Sequence, residues 1–136
     1  MRRAADGDIR PLRQGRGRSM PDATTTVAEL RDAMRRFVTE REWERFHSPK
    51  NLVMALAAEA AELLEHFLWV DNDESRRIVQ DPAKRKEVAD EMADVACCLF
   101  ALCNELGVDL SEVIADKMTC NAAKYPVEQY RGKWVM

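Results

Sequence analysis

Two pairs of acidic residues are the features of this sequence best suited to chemistry. Glu59 and Glu62 form one pair, and Glu91 and Asp94 form the other. Residues three apart share a helix face, so each pair would direct its two carboxylates the same way. Carboxylate oxygens are the ligands that hard divalent cations prefer. The spacing therefore suits a metal site, although solvated glutamates on the rim of an amphipathic helix have the same spacing.

The two pairs are expected to meet if their helices lie antiparallel. On a helical wheel with about 100° per residue, each acidic pair lies along one edge of the apolar stripe of its helix. In both helices this edge is reached by rotating in the same direction from the centre of the stripe. Antiparallel helices packed stripe against stripe bring such edges to one side of the seam, whereas parallel helices would separate them. A connection of about a dozen residues favours antiparallel neighbours. The four carboxylates should then converge beside the apolar core.

The charge around these acids points to a cation. No lysine or arginine occurs between Leu52 and Trp69 or between Val88 and Leu106. Four like charges near an apolar core repel one another, so an opposite charge must offset them. Mg²⁺ suits the set best, because it binds a few carboxylates and leaves positions for water and phosphate oxygens. Mn²⁺ is expected to substitute.

The elements that would position the acids are helices. Capping side chains precede apolar patterns of helical period at four places. The predicted helices cover residues 27–45, 49–69, 82–106 and 110–125, and the last ten residues are expected to be irregular. No strand-like alternation or glycine-rich phosphate loop occurs. The sequence predicts an all-α fold, an antiparallel bundle of about four main helices whose small core is completed by homo-oligomerisation.

The first residues differ in composition from the rest. Residues 1–20 contain six arginines and two aspartates and so carry a net charge of +4. Because the whole chain carries −3, residues 21–136 carry −7. Residues 1–22 are predicted to be a disordered basic leader, residues 23–130 the domain, and residues 131–136 a tail. A basic arm that binds nucleic acid is the alternative, but the acidic remainder argues against a nucleic-acid partner.

The cysteines and the hydropathy pattern indicate a cytoplasmic protein. Cys97, Cys98, Cys103 and Cys120 have no C-x-x-C spacing, which is typical of reduced thiols rather than a disulfide or zinc framework. No apolar run reaches the roughly 18 uncharged residues of a membrane span. No membrane partner is therefore expected.

Several motifs resemble the dCTP pyrophosphatase-like branch of the MazG-like family. Residues 43–52, W-E-R-F-H-S-P-K-N-L, match the motif W-x-x-F-H-x-P-x-N-L. Residues 59–69 match E-x-x-E-L-x-E-x-F-x-W, residues 91–95 match the second acidic motif, and residues 117–126 match K-x-x-x-N-x-x-K-Y-P. The resemblance covers about residues 27–130, nearly all of the predicted domain.

This resemblance implies an all-α enzyme that assembles as a homodimer or homotetramer, with sites near subunit interfaces. Such an enzyme cleaves a nucleoside triphosphate, dCTP among the candidates, into nucleoside monophosphate and pyrophosphate. The resemblance makes Glu59, Glu62, Glu91 and Asp94 the Mg²⁺ ligands, and Glu62 is the favoured general base.

The resemblance also implies a set of substrate contacts. Lysine is a suitable point charge for phosphate, and tryptophan can stack on a base. Ordinary structural roles, in the core, in a capped turn or on a solvated face, are the alternatives. The implied contacts are Trp43, His47, Asn51, Trp69, Cys98, Lys117, Asn121, Lys124 and Tyr125.

The chain departs from the family pattern near the nucleotide. Met34 stands where characterised mammalian members have His, and Cys98 stands where they have Tyr. The metal motifs are intact, whereas base and sugar selectivity stay open. A dUTPase-like or broad MazG-type hydrolase is one alternative. A non-catalytic helical oligomer that binds metal is another.

Overall fold

A computed structural model describes residues 19–134, and every regular element in that range is helical. The all-α class predicted from the sequence is confirmed. Most of the predicted leader, residues 1–18, and the last two residues of the tail lie outside the described residues. The elements are α1 (Val27–Thr39), α2 (Pro49–Glu65), α3 (Asn72–Arg77), α4 (Pro82–Leu106), α5 (Leu110–Lys124) and α6 (Val127–Tyr130), with 3₁₀ turns at Glu44–Phe46 and Ile78–Gln80.

Short polar side chains fix the amino ends of the four long helices. Thr26, Ser48, Asp81 and Asp109 each accept a hydrogen bond from a backbone N–H of the first turn. Each such cap stabilises a helix by about 1 kcal/mol. Gly107 ends α4 in the left-handed conformation at φ 63°, which a residue with a Cβ adopts only at a cost.

The first helix is shorter than predicted. α1 ends at Thr39 rather than near residue 45, and in the turn that follows Glu42 adopts a positive φ of 53°. The Trp43 backbone N–H then donates to the Val38 carbonyl at 3.1 Å. The apolar spacing of α1 ends at Val38, because the next positions of that face are Arg41 and Glu42, which agrees with the earlier helix end.

Two further boundaries differ from the prediction. α2 ends at Glu65 rather than Trp69, and the Phe67 N–H donates to the Leu64 carbonyl at 2.9 Å in the turn that follows. The C-terminal residues predicted to be irregular contain α6, a single helical turn. Pro126 precedes α6 as its N-cap, where its missing N–H costs no helical hydrogen bond.

α4 is the central helix, and α1 and α2 pack against it. Arg31 and Asn104 join α1 to α4. The Arg31 Nε donates to the Asn104 Oδ1 at 3.1 Å, and the Asn104 Nδ2 donates to the Arg31 carbonyl at 3.0 Å. The apolar side chains that are buried in the described residues are few. They are Val38, Leu52, Val88, Ala101 and Cys103.

Much apolar surface stays uncovered around this small core. α5 packs only marginally against the other helices, and Val113, Ile114 and Met118 are each at least half exposed. An apolar groove of about 410 Å³ runs between α1 and α4, and another of about 450 Å³ runs between α2 and α4. Among residues 19–134, no helix is long and apolar enough to cross a bilayer.

Candidate active site

Carboxylates from α2 and α4 converge at one point of the seam between these helices. Glu59, Glu62 and Glu91 each offer an oxygen, and these oxygens all lie within 4.8 Å of one another. Glu59 and Glu91 are half-buried, whereas Glu62 is exposed. An all-oxygen donor set on two facing helices fits a hard divalent cation. The carboxylate of Asp94 lies outside this group.

The helices are antiparallel at this point. His66 near the end of α2 faces Glu87 near the start of α4, with 4.0 Å between the imidazole Nδ1 and a carboxylate oxygen. Seven residues earlier on α2, Glu59 faces Glu91, which lies four residues later on α4. Residues three apart share a helix face, so Glu59 and Glu62 on α2 lie on the same side of the seam as Glu91 on α4.

Burial and like charge act together on Glu59. Burial is the larger cause that raises the pKa of its carboxyl, and the charges of Glu62, Asp94 and Glu91 raise it further. Asp94 is therefore near enough to act on Glu59 although it is outside the close group. Among residues 19–134, none of these four acids forms an ion pair with lysine or arginine. A cation would stabilise all four in their charged form.

Cys98 lies on α4 one turn beyond Asp94, at the edge of the acidic cluster. Burial raises the pKa of its thiol, and the nearby charge of Glu59 raises it further. Burial and the charge of Asp94 also raise the pKa of Cys97, which lines the groove between α1 and α4. All four cysteines are free. Neither thiol is activated as a nucleophile, because activation requires a lowered pKa.

The two tryptophans of the family motif differ in their surroundings. Trp69 is 92% exposed, so it is not part of the core. Trp43 is partly covered by an edge-to-face contact with Phe37, whose ring centroid lies 5.8 Å away. The exposed ring of Trp69 is therefore available to stack on a flat ligand.

Asn51 and His47 have contacts within the chain. The Asn51 Nδ2 donates to the Phe46 carbonyl at 3.0 Å, which ties the 3₁₀ turn to the start of α2. His47 is half-buried and lines a pocket of about 170 Å³ at the other end of α4, together with Arg35 and Asn104. The structure does not bring either residue into the group of close carboxylates.

The proposed phosphate contacts lie on α5. Asn121 is half-buried, and Lys117 and Lys124 are exposed. The Lys124 Nζ lies 5.1 Å from the ring centroid of Tyr125, which also makes an edge-to-face contact with Tyr130. Within residues 19–134, these side chains form no ion pair with the acidic cluster, because α5 hardly contacts α2 or α4.

Glu87 is a residue beside the site that sequence reasoning missed. It lies four residues before Glu91 and therefore on the same face of α4. That spacing was the available signal, but Glu87 falls outside both acidic motifs. Its contact with His66 depends on the register of the two helices, which only the folded structure defines.

Comparison with known proteins places this geometry in a family. The model of the MazG-like family matches residues 54–134, more than half of the chain. The chain belongs to the MazG-like family. The matched region contains both acidic pairs and the whole of α5, so the resemblance predicted from the motifs is confirmed.

Relatives of this MazG-like chain are named for pyrophosphatase activity. It is 37% identical over 107 residues to dCTP pyrophosphatase 1 of Mus musculus, covering 79% of this chain and 63% of that protein. It is 33% identical over 133 residues to dCTP pyrophosphatase 1 of Homo sapiens, covering 94% and 78%. The chain thus spans less than two thirds of the length of the mouse protein.

The fold also matches that of a pyrophosphatase crystal structure. A pyrophosphatase from Archaeoglobus fulgidus DSM 4304 superposes with a TM-score of 0.68 at 38% identity. The match covers 73% of this chain and 91% of that chain.

Proposed function

We propose that this chain is a magnesium-dependent nucleoside triphosphate pyrophosphohydrolase. The observation that carries the proposal is the convergence of Glu59, Glu62 and Glu91 from two facing helices without a basic partner in the described residues. Such a cluster is costly unless a cation occupies it. The pyrophosphatases among its relatives support the same activity.

Glu59, Glu62, Glu91 and Asp94 would hold Mg²⁺, with Asp94 at the edge of the set. Bound Mg²⁺ would neutralise the charge of the triphosphate oxygens and lower the pKa of a coordinated water. Burial and the neighbouring acids raise the pKa of Glu59, so a bound cation would favour its charged form. Glu62 is the most exposed of the close group and therefore the best placed to exchange protons with water.

The reaction is a direct attack by water on the α-phosphorus. The water oxygen forms a bond to phosphorus, and the bond from the α-phosphorus to the α–β bridging oxygen breaks. Glu62 accepts the proton of the attacking water as general base, and pyrophosphate leaves with the bonding electrons. The products are nucleoside monophosphate and pyrophosphate. The raised thiol pKa of Cys98 supports the absence of a covalent intermediate on that residue.

The nucleotide would contact residues on both sides of the cluster. Trp69, with its exposed ring, would stack on the base, and Trp43 is the second aromatic candidate. Lys117 and Lys124 would contact phosphates. The remaining proposed contacts are His47, Asn51, Cys98, Asn121 and Tyr125.

A second copy of the chain would complete the site and the core. Within residues 19–134, the lysines of α5 do not pair with the acidic cluster, so a homodimer or homotetramer is the simplest way to bring them together. The apolar grooves along α4 and the exposed apolar face of α5 support such an assembly. The free cysteines support the cytoplasm as its compartment.

The substrate class includes dCTP, because the named relatives are dCTP pyrophosphatases. Met34 and Cys98 replace the His and Tyr of the mammalian pattern, so dUTP or a broader set of triphosphates is the alternative. The test is pyrophosphate release from all canonical ribo- and deoxynucleoside triphosphates, with Mg²⁺, with Mn²⁺ and with chelator. We expect turnover only with metal and a preference for one or a few deoxynucleotides.

Two variants and one label sharpen this test. Glu59→Gln and Asp94→Asn should each lower the rate at least about a hundredfold, the scale of losing several kcal/mol of transition-state stabilisation. In H₂¹⁸O, the label should enter the nucleoside monophosphate. Near-normal rates in both variants, or nucleoside diphosphate and phosphate as products, would contradict the proposal.

A further inference from the structure

One contact between a histidine and a carboxylate joins the two helices that carry the acidic cluster. The His66 Nδ1 on the α2 side lies 4.0 Å from a carboxylate oxygen of Glu87 on α4. Within residues 19–134, this is the only ion pair between α2 with its C-cap and α4. In the neighbouring part of the seam, the charges of Glu62, Glu91 and Asp94 act unfavourably on Glu59.

The contact occupies the layer next to the acidic cluster. His66 lies four residues after Glu62, and Glu87 lies four residues before Glu91. Because the helices are antiparallel, both steps lead in the same direction along the seam, by about one helical turn or 5.4 Å. An attraction at this layer opposes the repulsion between Glu62 and Glu91 at the next.

Glu87 is oriented by its own helix. The Lys84 Nζ donates to the same Glu87 oxygen at 2.7 Å, so the carboxylate is held between Lys84 and His66. The His66 side chain is only 19% exposed, and it caps the C-terminus of α2, where the helix dipole favours a positive group. Both partners are therefore confined near the seam.

We propose that His66 and Glu87 are positioning residues that hold α2 and α4 at the separation at which Glu62 and Glu91 share one divalent cation. This inference rests on the proposed metal-dependent function. The His66 Nδ1 and the Glu87 carboxylate oxygen lie 4.0 Å apart across the seam. Removing either partner lets the acidic helices relax apart, which weakens cation binding without removing a ligand.

The chain offers a matched control. Asp90 lies three residues after Glu87, is similarly exposed, and pairs with Lys86 as Glu87 pairs with Lys84. Asp90 makes no ion pair with α2. Glu87→Gln and Asp90→Asn therefore remove the same charge from the same helix, but only the first removes a contact across the seam.

The experiment is Mn²⁺ binding to the full chain without nucleotide, followed by electron paramagnetic resonance of the free ion. Loss of a group that supports metal ligands typically costs about tenfold or more in affinity. We expect about tenfold weaker Mn²⁺ binding in Glu87→Gln and in His66→Phe, and wild-type affinity in Asp90→Asn. His66→Lys, which restores a cation opposite Glu87, should recover most of the loss. The Mg²⁺ concentration for half-maximal turnover should rise in parallel, with kcat at saturating Mg²⁺ little changed.

Two outcomes would overturn the inference. Mn²⁺ affinity within about twofold of wild type in both Glu87→Gln and His66→Phe, with helicity retained, would leave the pair a merely structural contact. Equal losses in Glu87→Gln and Asp90→Asn would assign the effect to overall charge. If the wild-type chain itself binds no Mn²⁺, the proposed function and this inference both fail. If the wild-type chain binds Mn²⁺ and both variants bind it equally well, only this inference fails.

Discussion

Glu59 of α2 and Glu91 of α4 face each other with carboxylate oxygens within 4.8 Å, beside the exposed Glu62. No lysine or arginine in the described residues pairs with either. In the metal-free chain this arrangement opposes folding, because like charges near an apolar core are unfavourable. A residue kept in such a place is expected to serve binding or catalysis rather than stability.

Stability and activity should respond oppositely to Glu59→Gln. Burial and the neighbouring acids raise the pKa of Glu59 in the folded chain, so its ionised form destabilises the fold. The glutamine variant should therefore unfold at a higher temperature than wild type at pH 8 in chelator, while it loses turnover. Thermal unfolding followed by circular dichroism measures the difference.

The sign of the pH dependence follows from that raised pKa. The destabilisation is fully present above the folded pKa of Glu59 and is relieved as the pH falls through it, because the folded chain then binds a proton. The difference in unfolding temperature between Glu59→Gln and wild type should shrink in mildly acidic buffer and also in saturating Mg²⁺ at pH 8. An advantage independent of both pH and Mg²⁺ would contradict this electrostatic origin.

Trp69→Ala should weaken substrate binding more than it slows catalysis. Trp69 is 92% exposed, so truncating it leaves no cavity in the core. A base–aromatic stack is worth about 1–3 kcal/mol, which corresponds to a rise in KM of about 5- to 150-fold. Because stacking holds ground and transition states about equally, kcat should change little. Trp134, 86% exposed and outside the family motifs, is the control. Equal kinetics in Trp69→Ala and wild type would exclude stacking.

A charge in the α1–α4 groove should break the assembly. Ala93 lines this apolar groove, whereas Ala89, on the same helix and also exposed, lines neither groove. Ala93→Arg should give a monomer of lower melting temperature and little activity, because an arginine cannot be buried there without a partner. Ala89→Arg should behave as wild type. Light scattering distinguishes these states, and a monomeric wild-type chain at micromolar concentration would refute the assembly.

Removal of residues 1–19 should leave folding and turnover unchanged. The segment is rich in arginine and glycine and nearly free of large apolar side chains, so it has little surface to bury. Melting temperature, light scattering and pyrophosphate release on the truncated chain are the measurements. Loss of assembly or activity would show that the leader contributes contacts.

Local signals made much of the fold predictable. Ser48 before Pro49 and Asp81 before Pro82 mark helix starts within the sequence itself, and Gly107 marks a helix end. The antiparallel seam followed from the length of the connection between the two helices, and the meeting of the acids followed from the side on which each pair borders its apolar stripe. These features depend on neighbours along the chain or on one helical period, which a single sequence contains.

Features set by long-range geometry were not predictable in the same way. Asp94 was expected to converge with the other three carboxylates and lies outside their close group, because small shifts along the seam decide which oxygens meet. Glu42 adopts a positive φ just after the early end of α1, and the sequence has no glycine at this position that would predict it. The separation of α5 from the acids depends on tertiary packing, which a single sequence does not define.

The thin core of the described chain would make the stability of the proposed homo-oligomer sensitive to dilution. The five buried apolar side chains contribute little free energy within one copy, so in that assembly contacts between copies would supply part of the folding free energy. The stability of such a protein rises with its own concentration by mass action. Abundance would then act as a threshold: below it the chain is lost to unfolding and proteolysis, and above it folded enzyme accumulates more steeply than total protein.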